Sequence, residues 1–183
     1  MESYLTSIIK QFEYYKSLGD KTFKQLDFEA LQKEFAEDSN SISIIVKHLV
    51  GNMLSRWTHF LTEDGEKTWR QRDLEFEDTY TTKDALITDW NKGWNCLFNA
   101  ITPLAETDLE RIIYIRNQGH TVTEAINRQL AHYSYHVGQI VFLGKLVKSK
   151  NWESLSIPKG DSKKYNAEKF SKEKERRHFT DDL

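Results

Sequence analysis

At 183 residues the chain is long enough for one substantial core and short for two, so a single domain of roughly 150 residues with appendages is expected. Hydrophobic residues make up 38% and charged residues 30%, an ordinary soluble balance, and a net charge of -2 argues against a nucleic-acid grip, which needs clustered excess Lys and Arg. The lone Cys96 cannot form an internal disulfide and reads as a core thiol, while the opening MESYLTSIIKQFEYYK lacks a basic leader and never reaches the ~18 apolar residues of a span, so a cytoplasmic protein without a membrane segment is expected.

Pro103 and Pro158 are the two prolines, and apolar residues recur at three and four spacing between them, which predicts a mainly α architecture. A first helix is predicted from Glu2 to Ser17, with Leu5, Ile8, Ile9, Phe12 and Tyr15 on one stripe and Gly19 ending it. From Thr22 to Phe35 the apolar residues are irregularly spaced, and the form of this segment stays open. A second helix should begin near Ser39 to Ser41, where cap formers precede Ile42, Ile45, Leu49, Met53, Trp57 and Phe60, and it carries His48 on its inner stripe. The polar stretch from Thr62 to Thr81 reads as a long connecting loop anchored by Trp69, Leu74 and Phe76, and loops of this length are uncommon unless they function.

A third helix is predicted from Lys83 to Ile101, with Pro103 marking its stop. Next, Ile113 and Ile115 alternate with Tyr114 and Arg116 before the turn-prone Asn117 to Gly119, a small strand or hairpin excursion. A capping box, Thr121 with Glu124 three residues on, opens a fourth helix of about 28 residues, roughly 40 Å at 1.5 Å per residue. The domain is expected to occupy residues 1–160, and 161–183 to be a charged, solvated tail whose basic run Lys172 to Arg177 is broken by Glu173 and Glu175. Four long helices, each with an apolar stripe to bury, make an all-α antiparallel four-helix bundle the economical solution.

The segment RQLAHYSYHVGQ, Arg128 to Gln139, sets His132 and His136 four residues apart, so both imidazoles project from one helix face in a chelating arrangement. They stand where the periodicity otherwise places core residues, and two unpaired imidazoles there are costly to desolvate unless a metal partners them, although such pairs also arise on solvated faces. His48 completes a trio if the second and fourth helices are neighbours. Its competitors are His59, nearly on the same face but three turns away, and His120, in the loop before the fourth helix; His178 belongs to the tail.

Three stretches, KHLVGNMLSRWTHFLTEDGEK (Lys47 to Lys67), INRQLAHYSYHVGQIVFLGK (Ile126 to Lys145) and WESLSIPKG (Trp152 to Gly160), resemble the DinB-like superfamily, which includes bacillithiol transferases. The specific part is the HxxxH followed by Gly138, Gln139 and Ile140. The resemblance implies an up-down-down-up four-helix bundle, often a homodimer, with one metal held by His48, His132 and His136.

Three neutral imidazoles leave one to three coordination positions for water or substrate, the open arrangement of a catalytic site. One divalent transition metal, Zn, Ni, Fe or Mn, suits such donors, and it can activate water for hydrolysis or lower a thiol's pKa for attack on an electrophilic small molecule. A low-molecular-weight thiol such as bacillithiol carries anionic groups, for which Arg56, about 80° round the helix from His48, is the candidate cation or else a surface ion-pair partner. Asn52, one turn after His48, either orients that imidazole or makes an ordinary polar contact. Gly51 and Gly138 mark close helix approach or room beside the metal. No carboxylate neighbours the HxxxH pair except Glu124, taken as a cap, which weakens hydrolysis more than thiol transfer. The competing readings are a non-catalytic metal- or small-molecule-binding stress-response module, and a dimeric scaffold that uses the loop from Trp69 to Tyr80 and has no need of the histidines.

Overall fold

The computed structural model describes residues 3–181. Among them the chain is mostly helical: α1 (Ser3–Gln25), α2 (Phe28–Leu31), α3 (Ile42–Trp57), α4 (Lys83–Ile101), α5 (Val122–Lys148) and α6 (Ser162–Phe170). The strands β1 (Ile112–Ile115) and β2 (Gln118–Thr121) form an antiparallel hairpin in which Ile113 faces His120 and Ile115 faces Gln118. No helix of the described residues is long and apolar enough to cross a membrane.

Helix starts follow the local chemistry. The Ser41 hydroxyl accepts from the Ile44 N–H at the head of α3, and Thr82 does the same for Ala85 in α4. Both halves of the Thr121/Glu124 capping box are made at α5, at 3.1 and 2.8 Å. The hairpin alternates as expected, with Ile113 and Ile115 buried and their neighbours exposed.

α1 departs from expectation, running through Gly19 to Gln25. Gly19 is a packing residue and not a stop: a Cβ there would lie 2.5 Å from Cζ2 of Trp90, whose ring is fully buried and edge-on to Phe23. A fixed indole cannot swing aside as a flexible side chain can, so Gly19→Ala should destabilise the fold by about 1–3 kcal/mol through overpacking. Thermal unfolding followed by circular dichroism checks this, and a melting temperature equal to the parent's contradicts it.

α3 lies along α4 and α1 along α5, while α3 also meets α5 and α1 meets α4. Between them Phe12, Leu49, Met53, Trp90, Trp94 and Tyr133 are fully buried. The rings of Phe12, Trp94 and Tyr133 sit 5.9 to 6.3 Å apart in tilted and edge-on contacts. Cys96 is half-buried beside Thr58 instead of in the core. The tail, expected to be solvated, carries the largely exposed α6 and then returns to α1. There His178 meets Ser7 at 3.2 Å, Asp181 pairs with Lys10, and Phe179 lies edge-on to Tyr14.

Candidate metal centre

His132 and His136 stand one turn apart on α5, and the contact between α5 and α3 brings His48 to them. One ligand nitrogen from each ring lies within 4.8 Å of the other two. His48 Nε2 and His132 Nε2 are 3.4 Å apart, and two nitrogens bound at about 2.05 Å to a tetrahedral ion stand about 3.3 Å from each other. The ring centroids are 4.7 to 5.4 Å apart. Donor type and number therefore suit a single transition-metal ion, and the His48–His132 spacing matches one edge of such a site. Among the described residues His59, His120 and His178 stand outside this group.

The group behind His48 comes from the loop after α3. A single 3-10 turn, Asp73–Phe76, carries Glu75 inward until its Oε2 accepts from His48 Nδ1 at 2.9 Å, with both side chains 7% exposed. A carboxylate only accepts, so Nδ1 holds the proton and the Nε2 lone pair is left facing His132. Arg70 grips Glu75 from the other side with Nε at 2.7 Å and Nη2 at 2.9 Å. Burial alone would raise the Glu75 carboxyl, but the bonds from Arg70 and His48 leave it below the usual range. Gly51 makes the approach feasible, because a Cβ there would lie 2.3 Å from Glu75 Oε1. Gly51 thus marks close approach, of a carboxylate and not of a helix, whereas Gly138 meets nothing within 4 Å. Phe76 stacks on His48, centroids 5.0 Å apart and planes 26° from parallel. The loop is anchored by Glu75 and Phe76; Trp69 and Leu74, expected as anchors, are 55% and 45% exposed.

Gln139 Oε1 lies 2.8 Å from His136 Nδ1 and fixes that ring as Glu75 fixes His48. Burial, reinforced by His136 and His48, pulls His132 down to about 3, and burial lowers His136 as well. A histidine whose folded pKa is depressed favours the fold fully above its unfolded value near 6.5, and that contribution is lost as the pH falls toward 3. In chelator-treated protein, lowering the pH from 7.5 to 5 should therefore cost about 1–2 kcal/mol through His132, allowing for its partial solvent contact. Urea unfolding at both pH values measures the loss, which should shrink by that amount in His132→Gln. Equal losses in parent and variant would contradict the assignment.

Asn52 Oδ1 accepts from the Tyr133 hydroxyl at 3.0 Å, which in turn accepts from Trp57 Nε1 at 2.9 Å. The residue on the back of His48 is Glu75, not Asn52. Arg56 donates to the Gly65 carbonyl and to Glu66, at 2.9 Å; burial lowers its pKa, partly offset by Glu66. Asn52 and Arg56 nevertheless line, with His48 and His132, one cavity of about 220 Å³. His59 lies in a separate cleft of about 900 Å³ along α3 and α4, and His120 keeps a buried Nε2 with no partner among the described residues. Sequence reasoning missed Glu75: its stretch is polar and aperiodic, and the one available hint was a glycine in the middle of α3.

The fold and this centre define a predominantly helical protein in which three histidines from two helices gather as a group able to hold a metal ion. Residues 1–161 match the family described as "Protein of unknown function (DUF1572)", and the chain belongs to it. No curated protein and no solved structure matches the chain.

Proposed function

We propose that the protein is a DinB-like four-helix bundle, formed by α1, α3, α4 and α5, and a metal-dependent enzyme that transfers a low-molecular-weight, bacillithiol-type thiol to an electrophilic small molecule. The observation that carries this is the 3.4 Å separation of His48 Nε2 and His132 Nε2, the edge length of a tetrahedral site, with His136 completing the donor set. A divalent ion held there supplies Lewis acidity that lowers the pKa of a thiol or water at an open position. The chain's own residues do the rest. Glu75 holds the His48 tautomer, Gln139 that of His136, and Phe76 covers one face of the His48 ring.

Thiol transfer is preferred to hydrolysis because, among the described residues, no carboxylate lines the cavity beside His48 and His132 to act as a base. Glu75 approaches the nitrogen of His48 that faces away from His132, and both of its oxygens are engaged by Arg70. A homodimer belongs to the same proposal, with Tyr135, Phe142 and Leu146 as an exposed apolar face of α5; light scattering that reads a monomer mass would remove it.

The test is elemental analysis of protein purified without a histidine tag, before and after reloading with Zn, Ni, Fe or Mn, followed by thiol-transfer assays with bacillithiol and an electrophilic acceptor. About one metal per chain and metal-dependent thiol consumption are expected. Loaded protein that consumes no thiol would overturn the transferase and leave a non-catalytic metal-binding module.

A further inference from the structure

The cavity beside the histidines has a chemistry of its own. Arg56 from α3, Arg70 and Arg72 from the loop, Arg116 from the hairpin turn and Arg128 from α5 all line it. Three carboxylates serve this group, one of them Asp64, which accepts from the backbone N–H groups of Arg116 and Asn117 and whose pKa is lowered in part by Arg56. Glu66 is shared by Arg56, Arg70 and Arg116 at 2.9, 3.3 and 3.1 Å, and Glu75 is held by Arg70. Two guanidinium charges therefore remain in excess, and among the described residues neither Arg72 nor Arg128 has a carboxylate partner. Arg72 lies instead 5.2 Å from the centroid of Phe76, the ring that stacks on His48.

Two buried polar atoms of residues that line the cavity also lack partners among the described residues: Nε of Arg56, a residue 7% exposed, and Oε1 of Gln129, 3% exposed. A buried donor and a buried acceptor left unmade are each costly, and a ligand that reaches both recovers that cost. Clustered guanidiniums favour oxyanions because their planar forks bind two oxygens at once. At about 30 Å³ per water, the 220 Å³ cavity holds a small molecule or the end of a larger one, not a macromolecule.

We propose that this cavity is an anion subsite for a small molecule bearing two or more negative charges, dicarboxylate or phosphate monoester. Arg72 and Arg128 supply the unpaired charge, and the reacting end of the ligand is directed at the three histidines. Only that orientation rests on the metal reading; binding of the anion does not.

The test is isothermal titration of the full chain, stripped of metal, at low ionic strength with succinate, inorganic phosphate and, as the monoanion control, acetate. At least one dianion should bind tenfold or more tightly than acetate, and Arg72→Gln with Arg128→Gln should weaken it at least tenfold. Both arginines are exposed, so the double variant should keep the parent's melting temperature. Preference for succinate assigns a carboxylate ligand and preference for phosphate a phosphorylated one. Dianions bound no tighter than acetate, or a double variant that binds like the parent, would overturn the proposal. If elemental analysis finds no metal while dianion binding persists, the metal reading falls and the anion subsite stands.

Discussion

Replacing His132 and His136 together by alanine is expected to take the protein from about one metal per chain to none. His48 alone cannot chelate, because what gives the site affinity is the convergence of three nitrogens within 4.8 Å, two of them one turn apart on α5. The fold should survive. Both rings are half-buried, while the packing of this part of α5 is carried by Tyr133, Val137 and Ile140, all fully buried. Removing two imidazoles that burial holds neutral also removes a liability in acid. Metal that binds the native state alone stabilises it by about 2.7 kcal/mol at a free concentration of 100 times Kd. The parent's melting temperature should accordingly rise on metal addition, and the double variant's should not move. A variant that retains the parent's metal content would place the ligands elsewhere. A parent that takes up none of Zn, Ni, Fe or Mn would remove the metal centre from consideration.

That centre was legible in the sequence to the extent that its parts lie on regular elements. A 3.6-residue period and a spacing of four are enough to put His132 and His136 on one face, and the Thr121/Glu124 box fixes where α5 begins. His48 was identified by its place between Ile45 and Leu49, but its meeting with the pair depends on α3 and α5 being neighbours, which no local signal encodes. Gly19 shows the limit in the other direction. Glycine is read locally as a helix stop, yet here the tertiary demand is room for Trp90, and α1 continues. Glu75 and, apart from Arg56, the arginine-lined cavity were invisible for a common reason. Their residues come from α3, an aperiodic loop, a hairpin turn and α5, and only the fold brings these segments to one place.

Glu75→Gln should lower metal affinity about 10–100-fold, equivalent to about 1.4–2.8 kcal/mol. The carboxylate does two things at His48: it fixes the proton on Nδ1, and its negative charge makes Nε2 a stronger donor. An amide of the same size can still accept from Nδ1 but carries no charge, and it leaves Arg70, whose side chain is 2% exposed, with Glu66 as its one carboxylate partner among the described residues. Gly51→Ala provides an independent approach to the same group. The added methyl would occupy the place of Glu75 Oε1 and push the carboxylate off His48 while leaving its chemistry untouched. Because the atom in the way is the far end of a flexible side chain and not backbone, α3 should accept the alanine, which is the better helix former. Competition with a chromophoric chelator reads the affinity of both variants. If Glu75 acts through His48, the two substitutions should weaken binding to a similar degree, with the three histidines still required. Affinities equal to the parent's in both would mean that the 2.9 Å contact orients nothing the metal needs. Loss in Glu75→Gln alone would mean that the contribution comes from charge at a distance and not from the hydrogen bond.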